Sequence, residues 1–537
     1  MNLLDKRHQE IGKNRRLAPS SARPLGQIAI EKTRQDPERL VLVEGTCRIS
    51  RAQMLDSALR LGGALYARGL RPGSAIAFQL PNWWEASVIN LAASLFGLRL
   101  VPLLTFYREA ELSIMLAACG VEAIFVPAFH RGVDYPALVA RLDDRPAHVL
   151  TVRGDPASAD DFKQLIRHEA GEVCIPAADD IKFVLFTSGS TGHPKGVIHS
   201  HATIDGTIRM ASEFWSIGTA DILFVASPIG HIGGSIYAFE FPWITDCVAL
   251  LSDSWNPDEA VSLIDENGIT FMAGATPFLS GLLAAAERAG RQLESLRRFI
   301  CGGASVPPEL VRKGLERFPN AVVSRAYGST EVPLACPGIR TREEARLRAD
   351  TDGEAASEIL IVSDEGLAVA EGEQGEIFAR GPQMFLGYLN PSDEEGAFTE
   401  DGFFRMGDLG RLVAGRFIEI TGRKKEIIIR KGENISPLEI ENALLRHVGV
   451  RQVAVVGVPD QERGEMVVAF VIAEDGHTFG FADMIAHLTT LGLARQKFPE
   501  KLHVVTTLPL NAVGKVQKME LRNWALAADA RFADPSP

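Results

Sequence analysis

The chain up to about residue 375 alternates short apolar runs with longer stretches in which apolar residues recur every three or four positions. Short apolar runs bounded by turn residues indicate buried strands, whereas the longer spacing indicates helices. Strands that alternate with helices in this way predict an α/β domain with a mostly parallel sheet. The clearest strands lie at residues 40–44, 74–80, 100–104 and 123–126, and the clearest helices at residues 50–68 and 83–97.

The pattern changes near residue 375, where short strands separated by turns replace the alternation; they lie at residues 375–379, 410–413 and 416–421. A dense charged stretch follows at residues 422–426, and strands at residues 426–430, 450–458 and 465–472 lie beyond it, with helices between them. We therefore predict a large domain at residues 1–424 and a small α+β domain at residues 425–537. The charged connector at Lys425 is either a hinge or a surface turn.

Composition narrows the class of protein. With 537 residues the chain is long enough for several domains. Hydrophobic residues make up 46% and charged residues 23%, which excludes a disordered or fibrous chain. The 68 acidic residues outnumber the 56 basic residues, so the net charge is −12. This acidic balance argues against nucleic acid or anionic membranes as partners.

The six cysteines are scattered, with no pair at CxxC spacing, which argues against a disulfide scaffold or a zinc module. The N-terminal segment is charged and lacks the apolar region of a signal peptide. The longest uncharged stretch, residues 222–239, is interrupted by Pro228 and three glycines, unlike a spanning helix. We expect no membrane span and a cytoplasmic location.

A glycine- and hydroxyl-rich segment, TSGSTGHPKG, follows the apolar strand at residues 182–186. Its glycines allow a tight turn whose N–H groups point inward, and such a nest binds phosphate. It lacks the spacing of a Walker A loop. A flexible turn is the simpler interpretation, but such turns do not usually follow a buried strand and end in Pro-Lys-Gly. The predicted phosphate-binding residues are Thr187, Ser188, Gly189, Ser190, Thr191, Gly192 and Lys195.

This segment resembles the phosphate loop of the adenylate-forming superfamily, which includes acyl-CoA synthetases, peptide-synthetase adenylation domains and luciferases. Further motifs follow in the family's order: CGGAS at residues 301–305, RAYGSTE at 325–331, GEI at 375–377 with GY at 387–388, FRMGDLG at 404–410, GR at 422–423, KGENISP at 431–437 and PLNAVGK at 509–515. One departure is Met406, where the family usually has threonine. The resemblance covers nearly the whole chain.

The resemblance implies an α/β N-terminal domain of two α/β subdomains plus a β-rich part, and a small α+β lid. It also implies that ATP activates a carboxylic acid to an acyl adenylate, with release of pyrophosphate and transfer of the acyl group to CoA. Lys515 matches the catalytic lysine, and Glu331 matches the ligand of Mg²⁺. Other residues that match the ATP site are Gly303, Ala304, Ser305, Arg325, Ala326, Tyr327 (adenine stacking), Gly328, Ser329, Thr330, Asp408 (ribose) and Arg423 (ribose and phosphate).

In the family the small domain rotates between the two half-reactions. Lys425 matches the hinge position, and Gly432 matches the glycine that lines the tunnel for the thiol arm. Lys515 would then serve only the first half-reaction.

The segment SPIGHIGGS at residues 227–235 matches the acyl site, with His231, Ile232, Gly233 and Gly234 as candidates. His231 would gate the pocket near the carboxylate, or it is a core histidine satisfied by backbone groups. The two glycines either admit a bulky acyl group or permit close helix packing. This segment and QLPNWW at residues 79–84 resemble cyclohexanecarboxylate and medium-chain acid ligases, so we expect a medium-chain, alicyclic or polycyclic acid.

Other functions remain open from the sequence. A stand-alone acyl-AMP ligase would keep Lys515 but pass the adenylate to a carrier protein or a partner enzyme. A luciferase-like oxygenase is a weaker alternative. A catalytically dead nucleotide-binding regulator would lack Lys515, Glu331 or Asp408, and all three are present. Amino acids are less favoured substrates, and we expect no carrier domain after Lys515. The sequence leaves open whether the chain forms a homodimer.

Overall fold

A computed structural model describes residues 3–11, 21–188, 194–303, 306–460, 462–510 and 516–532. Up to residue 325 the strands of this structure are β1 (Leu40–Glu44), β2 (Cys47–Ser50), β3 (Ala75–Phe78), β4 (Arg99–Pro102), β5 (Val121–Pro127), β6 (Phe129–His130), β7 (Val133–Asp134), β8 (His148–Val152), β9 (Ile181–Ser188), β10 (Pro194–Ser200), β11 (Ile222–Val225), β12 (Val248–Leu251), β13 (Phe271–Gly274), β14 (Arg298–Cys301) and β15 (Val322–Arg325).

The helices of the same part are α1 (Leu3–Ile11), α2 (Leu25–Gln35), α3 (Arg51–Ala67), α4 (Trp84–Phe96), α5 (Glu109–Cys119), α6 (Tyr135–Ala140), α7 (Phe162–Leu165), α8 (His201–Trp215), α9 (Ile232–Phe239), α10 (Phe241–Thr245), α11 (Pro257–Asn267), α12 (Thr276–Arg288) and α13 (Pro308–Arg317). Local sequence explains several helix ends. Ser50 and Gln53 form a capping box at the start of α3, and Gly97 ends α4 with a φ of 64°.

Two seven-stranded sheets form the large α/β part. The first has the order β15-β14-β13-β11-β12-β1-β2 and is parallel except for β2. In the second, β9, β4, β3, β5 and β8 are parallel neighbours, and β10 pairs antiparallel with β9. The largest apolar core joins both sheets, and Phe78 of β3 packs edge-on against Phe239 of α9 at 6.0 Å. The two α/β subdomains therefore share one interior.

The remaining elements are α14 (Arg342–Leu347), β16 (Glu358–Val362), β17 (Gly375–Arg380), β18 (Gly387–Tyr388), β19 (Phe404–Val413), β20 (Phe417–Arg423), β21 (Ile428–Arg430), β22 (Glu433–Ile435), α15 (Pro437–Leu444), β23 (Val450–Asp460), β24 (Gly464–Ala473), α16 (Phe481–Thr490), β25 (Lys501–Val504) and α17 (Lys518–Phe532). Short 3₁₀ turns lie at Pro391–Glu394, Lys424–Glu426 and Arg495–Lys497. Strand β18 extends the second large sheet beside β10. Strands β16, β17, β19 and β20 form an antiparallel sheet with its own apolar core.

The last sheet, β22-β21-β24-β23 with β25 beside β24, has separate apolar clusters. The turn Lys424–Glu426 connects it to β20, so the predicted domain boundary falls in this turn. Ser436 donates a hydrogen bond to the carbonyl oxygen of Thr421 at 2.5 Å, which ties the start of α15 to β20. Within the described ranges, none of the helices has the length and apolar character to cross a membrane.

Candidate active site

The predicted phosphate loop lies in the hairpin formed by β9 and β10. Thr187 pairs with Lys195, and Ser188 pairs with Pro194, so the two ends of the loop are held side by side. The opposite edge of strand β10 is also bonded, because the N–H of Leu389 donates to the carbonyl oxygen of Gly196 at 2.7 Å. The tip of the loop, with Gly189, Ser190, Thr191 and Gly192, lies outside the described residues.

Lys195 and Glu331 meet at a residue to which the sequence assigns no role. The Lys195 ammonium lies 3.2 Å from Asp393 and 5.0 Å from the centre of the Tyr388 ring. The Tyr388 hydroxyl donates to Glu331 Oε1 at 2.8 Å. Burial and the Glu331 carboxylate raise the pKa of Tyr388, so this hydroxyl stays protonated and remains a donor. We call Lys195, Asp393, Tyr388 and Glu331 the Tyr388 cluster.

A second group forms around Asp408. The Tyr327 hydroxyl donates to Asp408 Oδ2 at 2.6 Å, and Arg423 Nε lies 3.0 Å from Asp408 Oδ1. The register of β19 and β20 causes the second contact, because Asp408 and Arg423 are directly opposite each other. Burial and Asp408 raise the pKa of Tyr327. We call Tyr327, Asp408 and Arg423 the Asp408 cluster; the sequence predicted all three as ATP-binding residues.

The segment at residues 327–331 links the two clusters and is closely packed against residues 332–335. A methyl group at Gly328 would lie 2.6 Å from the backbone nitrogen of Leu334. The Ser329 hydroxyl oxygen accepts a hydrogen bond from the N–H of Val332 at 3.2 Å. Both residues were predicted for ATP binding, and the structure shows them shaping the turn that presents Tyr327 and Glu331.

His199 supports the same segment from β10. Its Nε2 lies 2.7 Å from the carbonyl oxygen of Thr330 and donates to it, and its Nδ1 lies 3.0 Å from Thr203 Oγ1. The imidazole is fully buried, and burial lowers the pKa of His199 to about 4, so the ring is neutral. The sequence did not single out this histidine, although it lies only four residues after Lys195 of the predicted phosphate loop.

Two other predicted ATP-site residues have their contacts within the protein. Arg325 forms a buried two-pronged ion pair with Asp352, with Nε and a terminal nitrogen at 3.0 and 2.8 Å, and it also donates to the carbonyl oxygen of Asp350. A methyl group added at Gly302 would lie 2.7 Å from the carbonyl oxygen of Ala326. Arg325 therefore braces the end of β15, and Ala326 packs against the glycine turn.

The glycine turn at residues 301–305 is described only in part. Gly303 has a φ of +82° and no described neighbour within 4 Å of an added methyl group, which leaves open space above it. Ala304 and Ser305 lie outside the described residues. Met406, the departure from the family motif, is buried in the apolar core of the β16–β20 sheet.

The predicted acyl site lies at the start of α9. His231 caps this helix, and its Nδ1 accepts a hydrogen bond from the N–H of Gly233 at 3.1 Å. Ile232 belongs to the main apolar core. A methyl group at Gly234 would lie 2.3 Å from the carbonyl oxygen of Pro228, so close packing requires glycine there. At Gly233 the added group would meet only the His231 ring among the described residues, at 3.3 Å.

The predicted hinge and tunnel residues lie near the connection to the last sheet. Lys425 is in the turn Lys424–Glu426, and Gly432 has a φ of +83° in the turn between β21 and β22. Lys515 is outside the described residues. The described residues on either side of 511–515, Leu510 and Val516, form a β-bridge with each other. Helix α17 begins at Lys518, three residues after Lys515.

Comparisons with known proteins agree with this arrangement. The AMP-binding enzyme family matches residues 30–389, and the AMP-binding enzyme C-terminal domain matches residues 439–515. The medium-chain fatty-acid–CoA ligase of Escherichia coli (strain K12) is 32% identical over 503 residues, which cover 92% of this chain and 88% of that protein.

A second relative is the 3-[(3aS,4S,7aS)-7a-methyl-1,5-dioxo-octahydro-1H-inden-4-yl]propanoyl:CoA ligase of Rhodococcus jostii (strain RHA1). It is 31% identical over 505 residues, which cover 91% of this chain and 96% of that protein. The solved structure of ATP-bound MatB from Rhodopseudomonas palustris has a TM-score of 0.83 and 28% identity, covering 94% of this chain and 99% of that one. The predicted adenylate-forming fold is thus confirmed, and the chain belongs to the AMP-binding enzyme family.

Proposed function

We propose that this enzyme uses ATP to activate a hydrophobic carboxylic acid and then transfers the acyl group to coenzyme A. The observation that carries the proposal is that one short segment, residues 327–331, presents both clusters. Its tyrosine lies in the Asp408 cluster, and its glutamate lies in the Tyr388 cluster. An aromatic ring beside a buried carboxylate suits adenosine, and a lysine near a carboxylate suits metal-bound phosphates.

The first half-reaction joins the acid to AMP. A carboxylate oxygen of the acid attacks the α-phosphorus of ATP, and the bond from that phosphorus to the bridging oxygen of pyrophosphate breaks. The electron pair leaves with pyrophosphate. Repulsion between the two anions opposes this attack, so cations must lie beside them. Lys195 provides one cation at the phosphate loop, and Lys515 provides another at the carboxylate and the α-phosphate.

Glu331 fits a role as the protein's ligand to Mg²⁺. Magnesium commonly takes one or two carboxylates and completes its shell with phosphate oxygens and water. Nowhere in the described ranges do three or more histidine, cysteine or acidic side chains gather as a metal site, so ATP would provide much of the shell. When bound, the ion would offset the negative charge of the phosphates.

The second half-reaction transfers the acyl group. The thiol of CoA loses its proton to water and attacks the carbonyl carbon of the adenylate; the bond from that carbon to the AMP oxygen breaks, and AMP leaves with the electron pair. Rotation of residues 425–537 about Lys425 would bring Gly432 to the path of the thiol arm, where a missing side chain leaves room. Every residue named here belongs to a single chain, so the scheme does not depend on a homodimer.

The acid we propose is medium-chain, alicyclic or polycyclic. Support comes from the open position beside His231 at Gly233 and from apolar surroundings that include Ile232. The acids named for the two relatives above, a medium-chain fatty acid and a fused-ring propanoate, belong to the same hydrophobic class.

The test is a pyrophosphate-release assay across a panel of acids, run with and without CoA. We expect release with hydrophobic acids and formation of an acyl-CoA when CoA is present. Release with an accumulating adenylate and no thioester would instead support an acyl-AMP ligase with another acceptor. No release with any acid would contradict the proposal.

A further inference from the structure

Asn82 connects the two large sheets at the predicted acyl site. It follows β3 of the second sheet, and its buried carboxamide contacts the segment that follows β11 of the first sheet. Its Nδ2 donates to the carbonyl oxygens of Val225 and Ser227 at 3.2 and 3.0 Å. Its Oδ1 accepts from the N–H of Ile229 at 3.1 Å. One side chain therefore satisfies three backbone groups within five residues.

A second contact packs the same segment against the residues that follow β4. A methyl group at Gly230 would lie 2.7 Å from the carbonyl oxygen of Leu103, so two backbones touch there. The adjacent carbonyl oxygen of Leu104 accepts a hydrogen bond from Gln79 at 3.0 Å. Gln79 and Asn82 both lie in QLPNWW. This motif therefore binds both the predicted acyl segment, through Asn82, and the backbone at Leu103 and Leu104 that packs against it, through Gln79.

The held segment leads directly to His231. The N–H of His231 donates to the carbonyl oxygen of Pro228 at 3.1 Å, which closes the turn that starts α9. Gly234 packs against the carbonyl oxygens of Ser227 and Pro228. A shift of Ser227 or Ile229 would therefore move His231 and the open position at Gly233 together.

We infer that Asn82 is a positioning residue for acid binding. It acts by fixing the segment at residues 225–231 across the junction between the two α/β subdomains. This inference rests on the proposed function. A carboxamide is required because the site pairs two acceptors with one donor. Asn82→Asp keeps the shape but turns a carboxylate oxygen toward two carbonyl oxygens. Asn82→Ala removes the Asn82 partner of the Ser227 carbonyl and of the Ile229 N–H, whereas the Val225 carbonyl keeps its hydrogen bond from the N–H of Ser252.

Asp221 offers a matched control at the opposite end of β11. It is buried like Asn82, and its carboxylate accepts hydrogen bonds from the N–H of Gly218 and the hydroxyl of Thr270 at 2.9 and 2.6 Å. It also forms an ion pair with the Arg297 guanidinium. Asp221→Asn should disturb the fold to a similar degree without moving the acyl segment.

The experiment measures KM for octanoate and KM for ATP in pyrophosphate release, with the melting temperature, for the wild type, Asn82→Ala, Asn82→Asp and Asp221→Asn. We expect the Asn82 variants to raise KM for octanoate about tenfold while KM for ATP changes less than about twofold. Asp221→Asn should lower the melting temperature but leave both KM values unchanged.

Hydrogen exchange of the acid-free proteins gives a second readout. Peptides that cover residues 225–234 should exchange faster in the Asn82 variants than in Asp221→Asn. A folded Asn82→Ala enzyme with an unchanged KM for octanoate, or Asn82 variants that do not fold, would overturn the inference. A wild type inactive with every acid would instead refute the proposed function. The exchange data would still test whether Asn82 fixes the segment at residues 225–231.

Discussion

Gly233 and Gly234 are neighbours on α9, yet the structure predicts opposite consequences for adding a methyl group to each. At Gly234 the methyl carbon would lie 2.3 Å from the carbonyl oxygen of Pro228 and 2.5 Å from that of Ser227. Favourable contacts between heavy atoms need roughly 3.5 Å, so the segment would have to move by about 1 Å. Overpacking of this kind costs about 1–3 kcal/mol.

For Gly234→Ala we therefore expect a melting temperature that falls by about 2–12 °C, since 1 kcal/mol shifts a large domain by about 2–4 °C. For Gly233→Ala we expect no fall, because among the described residues the added group meets only His231, at 3.3 Å, and alanine favours a helix by roughly 0.5–1 kcal/mol. The methyl group at Gly233 would instead narrow the site beside His231. KM should rise more for a fused-ring acid than for octanoate.

The assay pairs thermal unfolding with pyrophosphate release for both variants. Equal melting temperatures, or a Gly233→Ala enzyme that accepts both acids as well as the wild type does, would refute this assignment of the two glycines.

Three further predictions concern other parts of the account. Lys515→Ala should abolish adenylate formation but leave thiolysis of a supplied acyl adenylate largely intact; equal loss of both would contradict the two-step use of the lysine. Tyr388→Phe should raise the Mg²⁺ concentration for half-maximal binding of ATP, measured by calorimetry, by roughly tenfold, because Glu331 loses its orienting hydroxyl; an unchanged value would count against it. His199 has a lowered pKa in the folded protein, so the unfolded chain takes up its proton first as pH falls below about 6.5. The free energy of unfolding should drop by about 2 kcal/mol from this group between pH 7.5 and pH 5, and denaturant titrations of His199→Gln should lack that part of the slope.

Secondary structure was predictable wherever the local pattern decided it. Residues 40–44 form β1 as predicted, and the helix predicted at residues 50–68 is α3, bounded by its capping box. Predictions fell short where pairing extends a strand beyond its apolar run. Strand β19 starts at Phe404 rather than at residue 410, because β17 pairs along the FRMGDLG motif from Phe404 to Gly410, while β20 pairs only from Asp408 onward.

The residues of the site were predictable only where they belong to a family motif. The contacts between these residues were not predictable. Tyr388 reaches Glu331 across 57 positions of sequence, and Asn82 reaches Ser227 across 145. No periodicity encodes such pairs, since each joins a segment on or after a strand of one large sheet to a segment after a strand of the other. For the same reason the sequence could not show that Arg325 is paired with Asp352.

The central claim is that a carboxylate oxygen attacks the α-phosphorus of ATP, and an oxygen label tests it most directly. The enzyme is supplied with octanoate labelled with ¹⁸O in both carboxylate oxygens, together with ATP, Mg²⁺ and CoA, and the products are analysed by mass spectrometry. The account predicts AMP with one ¹⁸O, unlabelled pyrophosphate and octanoyl-CoA that retains one ¹⁸O. Formation of ADP, or ¹⁸O in pyrophosphate rather than in AMP, would contradict it.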